Sequence, residues 1–229
     1  QFSYMSNTTN GGVLNNQECF FTCVRSSFTN CQSTNGGGGA IYVKNSIENR
    51  YDILIEKVDF KNCKAFYGGA VYVYSSNETS TVLIKSCTFT SNFILQRTED
   101  VSGGLTGGSS IFLNAIKGTI ARCKFYQKTG SENIKIYNSF DGVAVRQLSY
   151  RKSFLSILNC TFERAKNSIF YMASESGSPV QIENCDFNGK MADGSYYISI
   201  KSCWIKMLQS LESSLAISKI KIESLKITI

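Results

Sequence analysis

Cysteine is the residue whose number and type bear most directly on chemistry in this chain of 229 residues. The chain has nine cysteines and no histidine. No Cys-x-x-Cys pair occurs, and the closest two cysteines, Cys19 and Cys23, have three residues between them. Zinc ribbons and thioredoxin-type redox sites need the closer spacing, and most zinc sites and general bases use histidine. We therefore predict no metal and no cofactor, and the cysteines favour an oxidising compartment.

Carboxylates, the next group that could perform chemistry, are few and dispersed. Calcium-dependent lyases need clustered Asp ligands, and glycosidases need two carboxylates at close range. Glu99-Asp100 is the only adjacent acidic pair, and no two Asp residues are adjacent among Asp52, Asp59, Asp100, Asp141, Asp186 and Asp193. We therefore predict that the protein has no catalytic residues and is not an enzyme.

Three Asn-x-Ser/Thr sequons indicate possible N-linked glycosylation. Asn77 stands in the polar stretch 74–81, Asn7 stands in a polar N-terminal segment, and Asn159 precedes a cysteine that we expect to point inward. The chain begins at Gln1 rather than Met, as a mature chain does after removal of a signal peptide. These features predict a secreted or cell-surface glycoprotein.

Basic residues outnumber acidic ones by 24 to 17, which gives a formal net charge of +7. They stand singly among Asn, Ser and Thr, whereas a nucleic-acid binder concentrates them in a patch. No stretch approaches the roughly 20 apolar residues of a membrane-spanning helix. We predict neither nucleic-acid binding nor membrane insertion. The charge either keeps a sheet-rich surface solvated or attracts acidic glycans and other anionic polymers.

A short motif repeats along the chain and indicates the fold. Its first half, Ile-x-x-Cys-x-Phe, occurs at 84–89, 120–125, 157–162 and 182–187, with variants at 55–60 and 200–205. Its second half is Gly-Gly-Ala followed by Ile or Val. The last position of the first half recurs at irregular intervals, at Phe28, Phe60, Phe89, Phe125, Phe162, Phe187 and Ile205. A constant motif at irregular intervals indicates fixed strands joined by loops of variable length.

The motif alternates apolar with small or polar residues, which is typical of a β-strand. One such unit cannot bury its apolar face alone, but stacked units pair in parallel at about 4.8 Å. We therefore predict an all-β fold, a right-handed parallel β-helix with inward ladders of Cys and Phe. A β-sandwich is the alternative. A β-sandwich requires tight two-residue hairpin turns between its strands. The Gly pairs instead recur at the same place in each repeat, as expected for the corners of stacked coils.

The elements Gly38–Ile41, Gly68–Val71 and Phe89–Asn92 resemble repeats of the polymorphic outer membrane proteins, a family of surface β-helix adhesins. The resemblance covers roughly residues 20 to 113 and implies a β-helix of the pectate-lyase-like superfamily with an adhesive role. The heavy use of cysteine departs from that family.

We predict a single β-helix domain, 1–229. Residues 1–18 form an N-terminal segment or cap, 19–205 form the coils and 206–229 form terminal strands. The predicted function is a non-catalytic extracellular structural or adhesive role. A carbohydrate-binding or polysaccharide-cleaving β-helix is the alternative.

Two sets of residues are expected to meet across coils. Cys31 and Cys63 each follow a motif Phe by three residues, so their Cα atoms, stacked at about 4.8 Å, fall within the range of a disulfide. We predict that bond. Tyr42, Tyr72 and Phe112 are expected to align, either as an outward ladder suited to sugar binding or as a ladder buried under a loop.

The segment 215–229 alternates as a strand does and would leave an open edge, which favours association with another chain. Lysines at 219, 221 and 226 could instead blunt that edge. We predict head-to-tail self-assembly into a filament, or continuation of the native chain past Ile229. The expected interface residues are Ile220, Ile222, Leu225, Ile227 and Trp204.

Overall fold

Every strand pairing among the described residues is parallel, and the strands recur in a cycle of four. The computed structural model describes residues 1–3, 5–7, 10–46, 48–95, 108–115, 117–126, 145–148, 154–163, 168–183, 186–188, 197–207, 220–223 and 226–228. Within these ranges, side chains are described up to residue 126, except at residue 7, and for 156–161. The four-strand cycle confirms the predicted parallel β-helix. The described residues contain no helix of the length and hydropathy that crossing a membrane requires.

Equivalent strands of successive coils form four ladders. Ladder 1 contains β4 (Phe21–Val24), β8 (Ile53–Glu56), β12 (Val82–Lys85), β16 (Lys117–Ala121) and β19 (Phe154–Leu158). Ladder 2 contains β1 (Phe2–Ser3), β5 (Ser27–Thr29), β9 (Asp59–Lys61), β13 (Thr88–Thr90), β17 (Lys124–Tyr126), β20 (Thr161–Glu163) and β22 (Asp186–Asn188). Ladder 3 contains β2 (Ser6–Asn7), β6 (Gln32–Ser33), β10 (Lys64–Ala65) and β14 (Phe93–Ile94). Ladder 4 contains β3 (Leu14–Gln17), β7 (Ile41–Asn45), β11 (Val71–Ser75), β15 (Ile111–Ala115) and β18 (Val145–Leu148).

Two long strands, β21 (Ser168–Glu183) and β23 (Tyr197–Met207), continue ladder 4 with their first part and ladder 1 with their second part. The strands β24 (Ile220–Glu223) and β25 (Lys226–Thr228) pair with the two parts of β23. Coils 1 to 5 begin with β4, β8, β12, β16 and β19. The segment predicted as an N-terminal segment or cap contributes β1, β2 and β3, which stack on coil 1.

Single residues in the left-handed backbone conformation turn the chain from one ladder to the next. Between ladders 1 and 2, φ lies between +49° and +55° at Arg25, Lys57, Ser86, Arg122 and Asn159. Between ladders 2 and 3, φ lies between +50° and +55° at Asn30, Asn62 and Ser91. Asn tolerates this conformation, whereas in most other residues it costs about 1–2 kcal/mol. The stacked coils must therefore offset that cost at Arg25, Lys57 and Arg122.

The Gly-Gly pairs lie at the corner before ladder 4, as predicted. Gly38 has a φ of +66°, a value that residues with a Cβ rarely adopt. A Cβ on the following Gly39 would lie 2.1 Å from the carbonyl oxygen of Gly69 in the next coil. The first glycine therefore turns the chain, and the second lets adjacent coils approach each other.

The interior contains the predicted Phe ladder. The rings of Phe28, Phe60, Phe89 and Phe125 stack with centroids 4.9–5.4 Å apart, and each is at most 2% exposed. The register continues through Phe162 to Phe187. Phe2 adds an unpredicted member, since its ring stacks on Phe28 at 5.0 Å.

The last copy of the motif was predicted in the wrong phase. If 200–205 were equivalent to 182–187, Ile200 would be the partner of Ile182. The partner of Ile182 is instead Met207, while Cys203 pairs with Ser178 and Ile205 pairs with Val180. The segment 200–205 therefore spans the junction of two ladders and is not a seventh Ile-x-x-Cys-x-Phe corner. In coils 1 to 5 a left-handed residue separates ladder 1 from ladder 2, whereas β23 runs as one strand from ladder 4 into ladder 1. A sequence pattern alone does not reveal that difference.

Candidate functional site

Cys31 and Cys63 occupy equivalent positions in coils 1 and 2, but the predicted disulfide is not formed. Both residues are buried, and both are free thiols. The backbone N–H of Lys64 donates to the carbonyl of Cys31 at 2.9 Å, so the two coils are in the expected register. Parallel Cβ atoms in register stay near the coil spacing of about 4.8 Å, whereas a disulfide needs about 3.5–4.5 Å. The prediction considered only the Cα spacing and was therefore incomplete.

The Cys63 thiol interacts with its neighbours as a weak hydrogen-bond donor. Its Sγ lies 3.6 Å from the carbonyl oxygen of Phe28 and 3.7 Å from that of Lys61. The adjacent Cys31 thiol and burial raise the pKa of Cys63 above its usual range. This arrangement suits a packed thiol rather than a nucleophile, because the thiolate is the reactive form.

Cys87, Cys123 and Cys160 form a second thiol ladder, in coils 3 to 5. Each Sγ lies 3.5–3.6 Å from a carbonyl oxygen of the preceding coil. Burial and the neighbouring thiols raise the pKa of Cys123 above its usual range. The predicted inward Cys ladder is therefore present at these positions, with Val58 as its member in coil 2. Cys185 lies outside the described residues.

Among the described residues, no three His, Cys, Asp or Glu side chains are grouped so that they could hold a metal ion. Asp52 and Asp59, the two Asp residues whose side chains the structure describes, have different surroundings. Asp52 accepts hydrogen bonds from Thr81 and Arg50, and these hold its pKa below the usual range. Asp59 is exposed on ladder 2, in register with Thr88. The pair Glu99-Asp100 and the residues Asp141 and Asp193 lie outside the described residues.

The rings of the aromatic ladder of Tyr42, Tyr72 and Phe112 are largely covered: Tyr42 and Phe112 are buried, and Tyr72 is half-buried. The rings stack with centroids 4.8 and 5.1 Å apart, and Tyr67 packs edge-on against the last two. Tyr42 and Phe112 are 7% and 3% exposed, and burial raises the pKa of Tyr72. Each ring covers the face of the next. These faces cannot serve as a platform for a sugar.

The sequon residues lie in different surroundings. Asn77 is half-buried, and its Oδ1 accepts hydrogen bonds from the backbone N–H and hydroxyl of Thr79 at 2.8 and 2.7 Å. Asn159 is exposed at a corner between ladders 1 and 2, although the neighbouring Cys160 is buried. Asn7 lies in β2 and pairs with Ser33.

Among the residues whose side chains the structure describes, four large hydrophobic residues are exposed. Phe2, Met5, Phe20 and Val24 are 37%, 45%, 65% and 44% exposed. They lie in or beside β1, β2 and β4, the edge strands of ladders 2, 3 and 1. The sequence pattern did not identify them, because exposure at an end depends on which strands stack beyond it.

The predicted interface residues at the other end belong to the last described strands. Ile220 and Ile222 pair with Ile198 and Ile200, and Ile227 pairs with Ile205. Trp204 pairs with Pro179 on one side and Lys226 on the other. Leu225 lies outside the described residues.

The chain matches no family model, and it has no significant match among curated proteins or solved structures.

Proposed function

We propose that this protein is a non-catalytic structural or adhesive protein of the extracellular surface, and that its copies stack head-to-tail. The observation that carries the proposal is the group of exposed apolar side chains, Phe2, Met5, Phe20 and Val24, in or beside the edge strands β1, β2 and β4. A solenoid edge combines apolar side chains with backbone groups that can pair with a further strand. Both features favour association with another coil.

The strands at the opposite ends of ladders 4 and 1 differ in length by at most one residue. In ladder 4, β3 and β24 each have four residues. In ladder 1, β4 has four residues and β25 has three. A second copy could therefore continue both ladders in parallel. Such a heterologous contact does not close on itself and builds a filament.

The extracellular setting rests on the sequons and on the resemblance to the polymorphic outer membrane proteins. Asn77 and Asn159 both reach the surface, Asn77 in part. The Gly-Gly-Ala elements that carry the resemblance are the corner residues before ladder 4. The burial of the aromatic ladder removes one argument for the alternative of a carbohydrate-binding protein.

Sedimentation velocity over a range of protein concentrations tests the proposal. Wild-type protein should form a concentration-dependent series of oligomers. The Met5→Lys/Val24→Lys variant at one end and the Ile222→Lys/Ile227→Lys variant at the other should each remain monomeric. Thr88→Lys/Thr90→Lys is the matched control, because it also adds two lysines, on the outward face of β13 in coil 3 and away from both ends. A monomeric wild-type protein at high concentration would refute head-to-tail stacking.

A further inference from the structure

The cations that stand singly in the sequence collect on one side of the solenoid. In coils 1 to 4, the segments from the end of ladder 1 to the end of ladder 2 are 24–29, 56–61, 85–90 and 121–126. They stack directly on one another because their strands pair in register. Six cations lie in these segments, and we call them the basic stripe: Arg25, Lys57, Lys61, Lys85, Arg122 and Lys124.

The rest of the described surface is balanced in charge. The four stacked segments contain six cations and two carboxylates, Glu56 and Asp59. The other described side chains include four cations, Lys44, Arg50, Lys64 and Lys117, and four carboxylates, Glu18, Glu48, Asp52 and Glu78. The positive charge of this part of the protein therefore resides in the stripe. The cations stand singly in the sequence but lie together in the structure, because a solenoid superimposes residues that are about one coil apart in sequence.

The stripe is exposed and only partly neutralised. All of its members are exposed except Lys85, which is half-buried. Glu56 contacts Lys85 at 3.3 Å and Lys57 at 4.0 Å. Among the described residues, no carboxylate lies within 4.0 Å of the other four cations. These four are available to an external anion.

From this arrangement we infer that the basic stripe binds an acidic polysaccharide, lying along the solenoid axis. Successive coils are about 4.8 Å apart, so the stripe presents a row of cations over about 14 Å to a linear polyanion. The inference deepens the adhesive part of the proposed function and rests on it.

The neighbouring side chains favour a polysaccharide over other polyanions. The hydroxyls of Ser27, Thr29, Thr88 and Thr90 lie between the cations on the outward face of ladder 2 and can hydrogen-bond to sugar hydroxyls. Single-stranded nucleic acid would require several aromatic rings for base stacking, and the ladder 2 Phe rings face inward. A flat sheet also does not enter the major groove of a duplex as a helix or ribbon does.

Two pairs of substitutions with equal change in charge test the inference. Lys61→Gln/Lys124→Gln removes two exposed cations of the stripe, and Lys44→Gln/Lys117→Gln removes two exposed cations elsewhere. Titration calorimetry with a heparin oligosaccharide should show affinity weakened about tenfold in the first pair. In the control pair the loss should be less than about twofold. Binding should also weaken with added salt.

The inference is overturned if wild-type protein does not bind heparin, or if both pairs lose affinity equally, which would indicate net charge alone. Tighter binding to a DNA duplex or to phosphatidylserine vesicles than to heparin would also overturn it. Sedimentation of the same variants separates the two proposals. Wild-type protein that assembles but does not bind heparin refutes only this inference, whereas a monomeric wild-type protein that binds heparin through the stripe refutes only head-to-tail stacking.

Discussion

The backbone N–H of Cys63 donates a hydrogen bond to Oδ1 of Asn92 in the next coil, at 2.9 Å. The side-chain amide of Asn92 in turn donates to the carbonyl oxygen of Phe60 at 3.4 Å. Asn92 is 1% exposed and occupies the position that Cys31 and Cys63 hold in the preceding coils. It therefore ties coil 3 to coil 2 through two backbone groups where no strand pairing does so.

Asn92→Ala should destabilise the protein by about 1–3 kcal/mol, because it leaves the buried N–H of Cys63 without its acceptor. Urea unfolding followed by circular dichroism measures the change. Asn49→Ala is the matched control, since Asn49 is exposed, and it should change stability by less than about 0.5 kcal/mol. Equal effects of the two substitutions would contradict the role assigned to Asn92.

Phe60 lies in the middle of the Phe ladder, 5.4 Å from Phe28 and 4.9 Å from Phe89 between ring centroids. Phe60→Ala should lower the free energy of unfolding by about 3–5 kcal/mol, because it removes a buried ring and both stacking partners. Phe60→Leu should cost less, since it retains most of the apolar volume. Asn49→Ala again serves as the control, because Asn49 is exposed. A Phe60→Ala variant as stable as the control would show that the ladder does not hold the coils together.

The fold could be predicted because a solenoid depends on residues that are equivalent in each coil. The Phe positions, the Cys positions and the Gly-Gly corners each recur in the sequence, and each occupies an equivalent place in successive coils. The pattern could not provide the distance between the side chains of neighbouring coils. The direction of the Cβ atoms, rather than the Cα spacing, decides that Cys31 and Cys63 remain thiols.

The candidate sites were predicted less completely, because they depend on which side chains of neighbouring coils lie next to each other. Tyr42 and Tyr72 align as expected, but their exposure depends on the rings above and below them. The cations Lys61 and Lys124 are far apart in the sequence and only one coil separates them in the structure. In a β-helix, charged residues form a cluster when they occupy nearby positions in stacked coils, even where they are far apart along the chain.

The cysteines should differ sharply in reactivity. Cys19 is exposed, and the other cysteines with described side chains are buried. Iodoacetamide should therefore modify Cys19 rapidly in native protein and leave Cys31 and Cys63 unmodified. After unfolding without a reductant, both should be recovered as alkylated thiols. Cys19→Ser should remove the fast reaction. Recovery of a peptide in which Cys31 and Cys63 are linked would contradict the free thiols of the structure.

Asp52 links coil 2 to coil 3, and the link should depend on pH. Its Oδ1 accepts hydrogen bonds from the backbone N–H and hydroxyl of Thr81 at 2.8 and 2.9 Å, and its Oδ2 accepts one from Arg50 at 2.9 Å. The hydrogen bond from Arg50 is the main cause that holds the pKa of Asp52 below its usual range. The unfolded chain therefore binds a proton at a higher pH than the folded protein does. The stabilisation is present above about pH 4 and is lost as the pH falls through the folded pKa.

Asp52→Asn should reduce stability at neutral pH by less than about 1 kcal/mol, because the carboxylate is partly exposed and its ion pair is screened by solvent. The difference from wild-type protein should shrink as the pH is lowered from 5 to about 2, since both side chains are then neutral. Urea midpoints measured across this range test the sign as well as the size. Glu48→Gln serves as the control, because Glu48 is exposed and forms no ion pair with the described residues. A difference between Asp52→Asn and wild-type protein that grows on acidification would mean that the Arg50 and Thr81 contacts do not favour the charged carboxylate.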